Sequence, residues 1–560
     1  MNLSVLLPLL DEITEYRELI SRLSGNAANA ESIEVLESAR PFVLAGVAVR
    51  LARPMLVIAG RADRGKELLL ELQAWVGVEK VEYFSEPDPL LYERVPWSPD
   101  TISGRLAALS SLLHADGEPR IIVSTVRALL PYTMPPDLFR KATRTLRQGD
   151  TAALDSLLSH WVEIGYEPTA VVDTPGSVSR RGGIIDIWPP AEREPVRVEF
   201  VGDQIETLRV FDPGTQRSSQ VVNSLIVTPA SEALLADAER VSAAVRELDL
   251  SKMHPVAAST FRQDQEALAN HRRLRGIEFY IPYYYSEPFS LVQYLPADAV
   301  VAVDDWQEIE QAAQQFEAQA EEVRRDLEGR GEAPPGLRRP YFTWNELRAQ
   351  LMKFPRLLFD FQSPMDLPRF PFVPGPRYGG QIRKVTDELV KWRKEHARGI
   401  VVSRQSERLA ELLREENIFV KPHEELKQIP DPGHVALVRG ALTEGWLLPL
   451  PLADGNRQAP VERLSEEIER PDEDQPAKSE NVLHFLTDAE IFGWTRPRQR
   501  RPGTARHPHQ VSPEAFFADL AAGDYVVHVD HGIGVFRGLQ KMDLGGGERE
   551  YLLIEYGHGD

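Results

Sequence analysis

Residues Gly60 to Glu67 read GRADRGKE, a spacing that matches the phosphate-cradling loop G-x-x-x-x-G-K-[ST] up to its last position. In such a loop backbone N–H groups wrap the phosphates, the lysine reaches the terminal phosphates and the hydroxyl holds Mg²⁺. Gly60, Gly65 and Lys66 suit the first two tasks. Glu67 stands where the hydroxyl belongs and would set a carboxylate against groups that are already anionic. Asp63 adds a second carboxylate inside the loop, and only two glycines are present to allow close backbone approach. The apolar run MLVIAG before the loop reads as a strand, and LLLELQAW after it as a helix. The chemistry therefore predicts the remnant of a nucleotide site, with a strand, a glycine-bounded turn and a helix start. A plain strand–turn–helix crossing is the alternative.

The elements around this stretch set its context. A chain of 560 residues exceeds a single core, so several domains are expected. Over residues 1–147, helical patterns at 9–24, 31–39 and 66–76 alternate with apolar strand-like runs, as does the amphipathic ISGRLAALSSLL before RIIVSTVRALL. That alternation predicts a parallel sheet with packed helices. Residues 148–230 change grammar: short β-rich stretches are separated by PG, GG, PP and GD turns, which predicts a small α+β domain built on hairpins. The α/β pattern returns over 231–375, so the meander is inserted in the first domain or docked on it. A further α/β domain covers 376–494, with an acidic loop at 452–480, and a basic linker follows at 495–511. Residues 512–560 read as a small all-β module that stops in the middle of a strand pattern, which implies a longer protein.

Composition excludes several classes of function. There are no cysteines, so disulfides, thiol catalysis and cysteine-ligated metal sites are ruled out. The net charge of -21 argues against a general nucleic-acid coat and favours protein partners, with local basic surfaces still open. The opening SVLLPLL is broken by Pro8 and followed by Asp11 and Glu12, with no basic residue before Arg17, so it is no signal peptide; the reading is cytoplasmic, without membrane contact. His528, Asp530 and His531 fall on alternating strand faces and a turn, so no metal is expected there. The aromatic stretch 277–296 fits core packing better than base stacking, although His271, Arg272, Arg273 and Arg275 flank it. The arginines of 496–506 fit a solvated tether better than a phosphate track.

Two stretches carry a family resemblance. PGSVSRRGGIIDIWPP, with VRVEFVGDQIETLRVFDPGTQRS, resembles the UvrA-binding domain shared by the repair helicase UvrB and by transcription-repair-coupling factors. GDYVVHVDHGIGVFRGL, with EYLLIEY, resembles the RNA-polymerase-interacting module of the same coupling factors and of CarD-type regulators. A UvrB-like half followed by that module is the order found in coupling factors. The resemblance implies a multidomain α/β protein. Its parts are a UvrB-like parallel-sheet domain with a degenerate nucleotide loop, the α+β UvrA-binding insert, a further α/β domain and a CarD-like, Tudor-like all-β end.

The same resemblance implies function. Its expected partners are UvrA and the β subunit of RNA polymerase, coupling stalled transcription to nucleotide excision repair. No cofactor is expected in this fragment and no catalytic residue; ATP, Mg²⁺ and most of the contact with double-stranded DNA belong to absent motor domains. Asp304 and Asp305, before Trp306, stand where a helicase keeps an Asp–Glu pair, although a helix start also favours acidic residues. The implied UvrA contacts are Arg180, Arg181, Arg197 and Phe200, with Val201 where the family often has a second aromatic. The implied polymerase contacts are Val535, Phe536, Arg537, Leu539 and the strand from Tyr551 to Tyr556. In the family a distant C-terminal domain masks the UvrA-binding face, so this chain is expected to bind UvrA without a trigger. The alternatives are a UvrB-type ATP-dependent helicase subunit and a CarD-type transcription regulator. The short, aromatic-poor FSEPDPLLYERVPWSP, where UvrB carries a tyrosine-rich hairpin, favours the coupling factor.

Overall fold

A computed structural model describes residues 1–25, 29–114, 120–285, 287–359, 367–415, 418–450, 482–493, 525–528, 532–543 and 548–556. The acidic stretch 452–480 and the linker 495–511 lie outside the described residues. The chain divides into two units, Met1–Thr495 and Arg496–Asp560.

The first unit is built on a six-stranded, wholly parallel sheet. Its strands are β1 (Ala30–Ile33), β2 (Met55–Ala59), β3 (Val81–Phe84), β4 (Ile121–Thr125), β13 (Val300–Val303) and β14 (Arg356–Phe359), in the order β1-β14-β13-β2-β4-β3. β2, β4 and β13 are buried along their whole length, which is why they read as continuous apolar runs and not as alternating patterns. The sheet draws strands from both sides of the interval 144–227, so that interval is an insertion into one domain. β5 (Arg144–Arg147) pairs antiparallel with β12 (Ser224–Val227) at the insertion's two ends and closes its neck.

Between them lies the expected meander: β6 (Glu167–Pro168), β7 (Ser177–Arg181), β8 (Ile184–Ile187), β9 (Val196–Val201), β10 (Gln204–Phe211) and β11 (Ser218–Val221), in the order β11-β10-β9-β8-β7-β6. A third, mixed sheet runs β15-β19-β20-β16-β18-β17, from β15 (Val373–Pro374), β16 (Arg398–Ser403), β17 (Pro422–His423), β18 (Val435–Arg439), β19 (Trp446–Pro449) and β20 (Val482–Thr487). The second unit holds a three-stranded antiparallel sheet, β21 (Tyr525–His528), β22 (Gly532–Asp543) and β23 (Glu548–Tyr556).

Two local expectations are corrected. Residues 31–39 form no helix: Ala30–Ile33 pairs in parallel with β14, and only Glu37–Ala39 make a short 3-10 turn. Ile33 and Val35 are apolar at a spacing of two, and the free edge of β14 gives that spacing a partner. The helix expected over 9–24 is divided at Ile13 into a 3-10 segment, Ser4–Glu12, and a helix, Thr14–Leu23.

The helix Arg40–Leu51 is buried on nearly all sides, which marks an element packed from more than one direction. Phe42 stacks on Trp446 with ring centres 5.1 Å apart and touches Trp75 at 4.7 Å; Trp446 in turn stacks on Phe485 at 4.8 Å. This aromatic seam joins the first and third sheets. One face of the third sheet, with Ile400, Val402 and Phe485, enters the seam's core. The other, with Val401, Leu437 and Leu486, carries the helices Ile382–Lys394 and Ser406–Glu415. Trp446→Ala is therefore expected to cost about 3–5 kcal/mol, read in urea unfolding as a separate, earlier transition of the 373–487 sheet.

Candidate functional site

Strand β2 ends at Ala59 and the next helix starts at Ala62, so Gly60 and Arg61 alone connect them. The glycine-bounded turn expected at GRADRGKE is absent. Gly65 lies inside the helix, its N–H bonded to the Arg61 carbonyl at 2.9 Å, and the missing Cβ makes room for the Tyr83 ring. An amide engaged in the helix ladder is not free to point at a phosphate.

The reason for the early helix start is Arg64. Its Nε lies 2.9 Å from Oδ2 of Asp304, and Arg40 approaches Oδ1 of the same carboxylate at 2.7 Å. All three side chains are buried. Burial opposes ionisation of Asp304, but the two guanidinium groups prevail and hold its pKa at about 2. Helical backbone over 62–66 is what brings Arg64 across to β13. Asp304 and Asp305, read as a pair in the sequence, divide the work. Asp305 caps the Trp306–Gly329 helix, accepting from the Glu308 N–H at 3.0 Å.

Above the connection sits a second group of ions. Arg61 bridges Asp63 at 3.1 Å and Glu308 at 2.7 Å. The Glu308 side chain covers Gly60 so closely that a Cβ there would lie 2.5 Å from its Cγ. Lys66 is exposed, and Glu67 pairs with Arg64 at 3.1 Å. The surface at this point presents carboxylates, the ion-paired Arg61 guanidinium and the exposed Lys66 ammonium.

One turn further along, Glu71 is buried and accepts the backbone N–H of Thr443 at 3.0 Å, a bond between the first helical layer and the third sheet's domain. Burial raises its pKa from 4.5 to about 7, against the pull of Arg64.

On the meander, strand alternation separates the predicted contacts. In β9, Val196, Val198 and Phe200 face the core, while Arg197, Glu199 and Val201 face out. Phe200 is thus a core residue, which corrects its assignment as a surface contact; the period of two in VRVEFV carries that information. Val201, at 63% exposure, holds the outward position.

Arg197 faces out but is engaged. It makes a two-pronged pair with Asp186, Nε to Oδ1 at 2.7 Å and the second prong at 2.9 Å, and its guanidinium lies 5.0 Å from the Phe211 ring centre. Arg180 is exposed and pairs with Asp155. Arg181, across from Ile184 in the register, donates to the Ala170 carbonyl at 2.9 Å. Arg181, Ile184 and Val201 are all exposed around the Gly182–Gly183 turn. Asp186 and Phe211, which hold Arg197, carry no signal in the sequence because their partner is set by strand register.

In the second unit, β22 is central and β21 and β23 are the outer strands. Val535 is half-buried; Arg537 is exposed, sits in a register shift between Phe536 and Gly538, and pairs with Glu555. Phe536 pairs with Ile554, Leu539 with Leu552 and Tyr551 with Gln540. His528 belongs to β21; Asp530 and His531 lie outside the described residues. Among the described residues no group of acidic and histidine side chains is placed to hold a metal, and no helix is long and apolar enough to cross a membrane.

Comparison with known proteins gives this geometry a context. Residues 145–232 match the UvrB interaction domain and residues 520–560 the CarD-like/TRCF RID domain. The chain is 22% identical over 565 residues to the transcription-repair-coupling factor of Bacillus subtilis, covering 97% of this chain and 45% of the relative. It is 24% identical over 544 residues to that of Staphylococcus epidermidis, covering 93% and 43%. For the Staphylococcus aureus protein the identity is 23% over 578 residues, covering 99% and 46%. The chain spans less than half the length of the curated relatives it matches.

The ion cluster predicts two contrasts. Asp304→Ala removes the carboxylate shared by two buried guanidinium groups, leaving Arg64 only its Glu67 contact, and should cost about 3–5 kcal/mol, whereas Lys66→Ala should stay within about 0.5 kcal/mol, both read by chemical denaturation. Glu71, with its folded pKa raised, gives stability that is full below pH 4.5 and is lost as pH rises through about 7. Its share of that loss is on the order of 3 kcal/mol, and Glu71→Gln should flatten the stability profile between those limits.

Proposed function

We propose, from a chain that carries a UvrB interaction domain and a CarD-like/TRCF RID domain in that order and aligns over nearly its whole length with less than half of transcription-repair-coupling factors, that it is the docking part of such a factor. One module engages RNA polymerase stalled at a lesion and the other recruits UvrA, so that excision repair is delivered to the blocked strand. The observation that carries this reading is the co-occurrence of both modules on one chain, in one order, along an alignment that covers nearly all of it.

The residue roles proposed here follow from exposure. Arg181, Ile184 and Val201 form a small apolar and cationic patch at one end of the meander sheet. Arg197 lies on the same outward side of β9 as Val201, with two of its donors already committed to Asp186. A partner surface with an acidic group and an apolar recess would fit, since a planar guanidinium pairs with carboxylates while exposed Ile and Val gain from burial. On the polymerase side, the outer strands β21 and β23 offer main-chain edges for addition to a partner's sheet. That mode suits the β subunit of RNA polymerase as the partner of the strand that holds Tyr551, with Val535, Phe536, Arg537 and Leu539 on the neighbouring central strand proposed as further contacts. ATP, Mg²⁺ and translocation on duplex DNA are assigned to the portion of the relatives that this chain does not cover.

The test is capture of UvrA by the chain and its variants. Val201→Asp and Arg181→Ala should each weaken capture by roughly tenfold, with unchanged unfolding profiles. Phe200→Ala should instead lower stability by about 3–5 kcal/mol. Undiminished capture by both surface variants would remove the patch from the interface.

A further inference from the structure

One strongly charged stretch of the sequence has no part in the docking roles above. Within residues 451–481, Glu466, Glu467, Glu469, Asp472, Glu473 and Asp474 are interrupted by a single base, Arg470. These residues lie outside the described ones, but the points where they join the third sheet are fixed. The chain leaves past Pro449, the end of β19, and returns at Val482, the start of β20, and those two residues face each other across the antiparallel pair.

The same end of the sheet carries cations. β16 runs parallel to β20, with Arg398 opposite Leu483 and Gly399 opposite His484, so β16 starts at the end where the acidic stretch is attached. The helix Ile382–Lys394 leads into β16, and its last turn holds Lys391, Arg393 and Lys394. Trp392, from that turn, lies on His484 with ring centres 4.2 Å apart, which seats the turn over the start of β20. Burial, with Lys391 nearby, holds the His484 imidazole neutral, its pKa lowered to about 3.

The described carboxylates match these cations poorly. All three are exposed. Lys391 reaches Glu388 and Glu395 only at 3.8 and 4.0 Å, and the Glu388 carboxylate also accepts from the Trp392 indole at 3.2 Å. Arg393 and Lys394 make no ion pair with a described residue. Lys391 and Lys394, three residues apart, are like-charged neighbours on the helix surface, a destabilising arrangement unless an anion meets them.

We propose that the last turn of the Ile382–Lys394 helix is the docking surface for the chain's own acidic stretch 466–474, and that this contact keeps the three cations from other polyanions. A tether of some 15 residues spans on the order of 20 Å, enough to carry carboxylates from the end of β19 to a turn seated over the start of β20. Attachment beside the helix sets an effective concentration on the order of millimolar, which lets individually weak exposed pairs act together. The contact is electrostatic, so salt screens it.

The test is zero-length carbodiimide coupling of the whole chain, which joins a lysine amine to a carboxylate only where the two touch. At low salt, links from Lys391 or Lys394 to residues 466–474 should outnumber links from the exposed Lys252 or Lys353 to the same stretch by roughly tenfold, and they should fall away at about 0.5 M salt. A variant with Glu466→Gln, Glu467→Gln, Asp472→Asn, Glu473→Gln and Asp474→Asn should elute from heparin at higher salt. Adding Lys391→Gln, Arg393→Gln and Lys394→Gln should cancel that gain, whereas adding Arg246→Gln, Lys252→Gln and Lys353→Gln should not. Links spread evenly over the lysines, links indifferent to salt, or a heparin gain that the helix substitutions leave intact would overturn the proposal; cations that serve only the helix dipole give the first of these.

Discussion

The buried carboxylate of Asp304, held between Arg40 and Arg64, is the contact on which the arrangement of the first unit turns. It joins three elements, the Arg40–Leu51 helix, the helix that opens at Ala62 and the end of β13, at the middle of the parallel sheet. Two cations share one buried anion, and Glu67 on Arg64 offsets the remaining positive charge, so these side chains must be placed together. That requirement sets the start of the helix after β2. It also sets the fate of the GRADRGKE stretch, because a helix beginning at residue 62 commits the Gly65 amide to the Arg61 carbonyl.

From this centre the structure extends outward in two directions. Glu67 and Glu71 continue the charge row along the helix, and Glu71 hands it to Thr443 of the third sheet's domain. Alongside, the Phe42, Trp75, Trp446 and Phe485 rings supply the apolar area that makes the junction stable. The meander is attached differently, through the β5–β12 ribbon at its neck, and its outward face is left with Arg181, Ile184 and Val201. A rigid platform carrying an exposed, mixed patch is the form expected of a docking module.

Much of this was legible in the sequence where a local pattern maps to one geometry. MLVIA and VVAV read as buried parallel strands because continuous apolar runs have few other uses. The PG, GG and GD turns marked the meander. Glu67 and Asp63 set carboxylates where a metal-phosphate loop keeps a hydroxyl and an open backbone. Other features depend on long-range pairing that no local pattern encodes. Arg40 and Arg64 look like solvated helix residues until β13 brings Asp304 to them. Residues 31–39 look helical until β14 offers an edge. Phe200 alternates in phase with Val196 and Val198, and that period of two marks it as a core position.

At the end of β2 an internal ion cluster stands where a phosphate loop would open. Isothermal titration calorimetry of the chain with Mg·ATP tests it most directly. No saturable heat is expected up to about millimolar nucleotide, where a Kd of that size corresponds to only about 4 kcal/mol. A saturable isotherm that Lys66→Ala abolishes would contradict it.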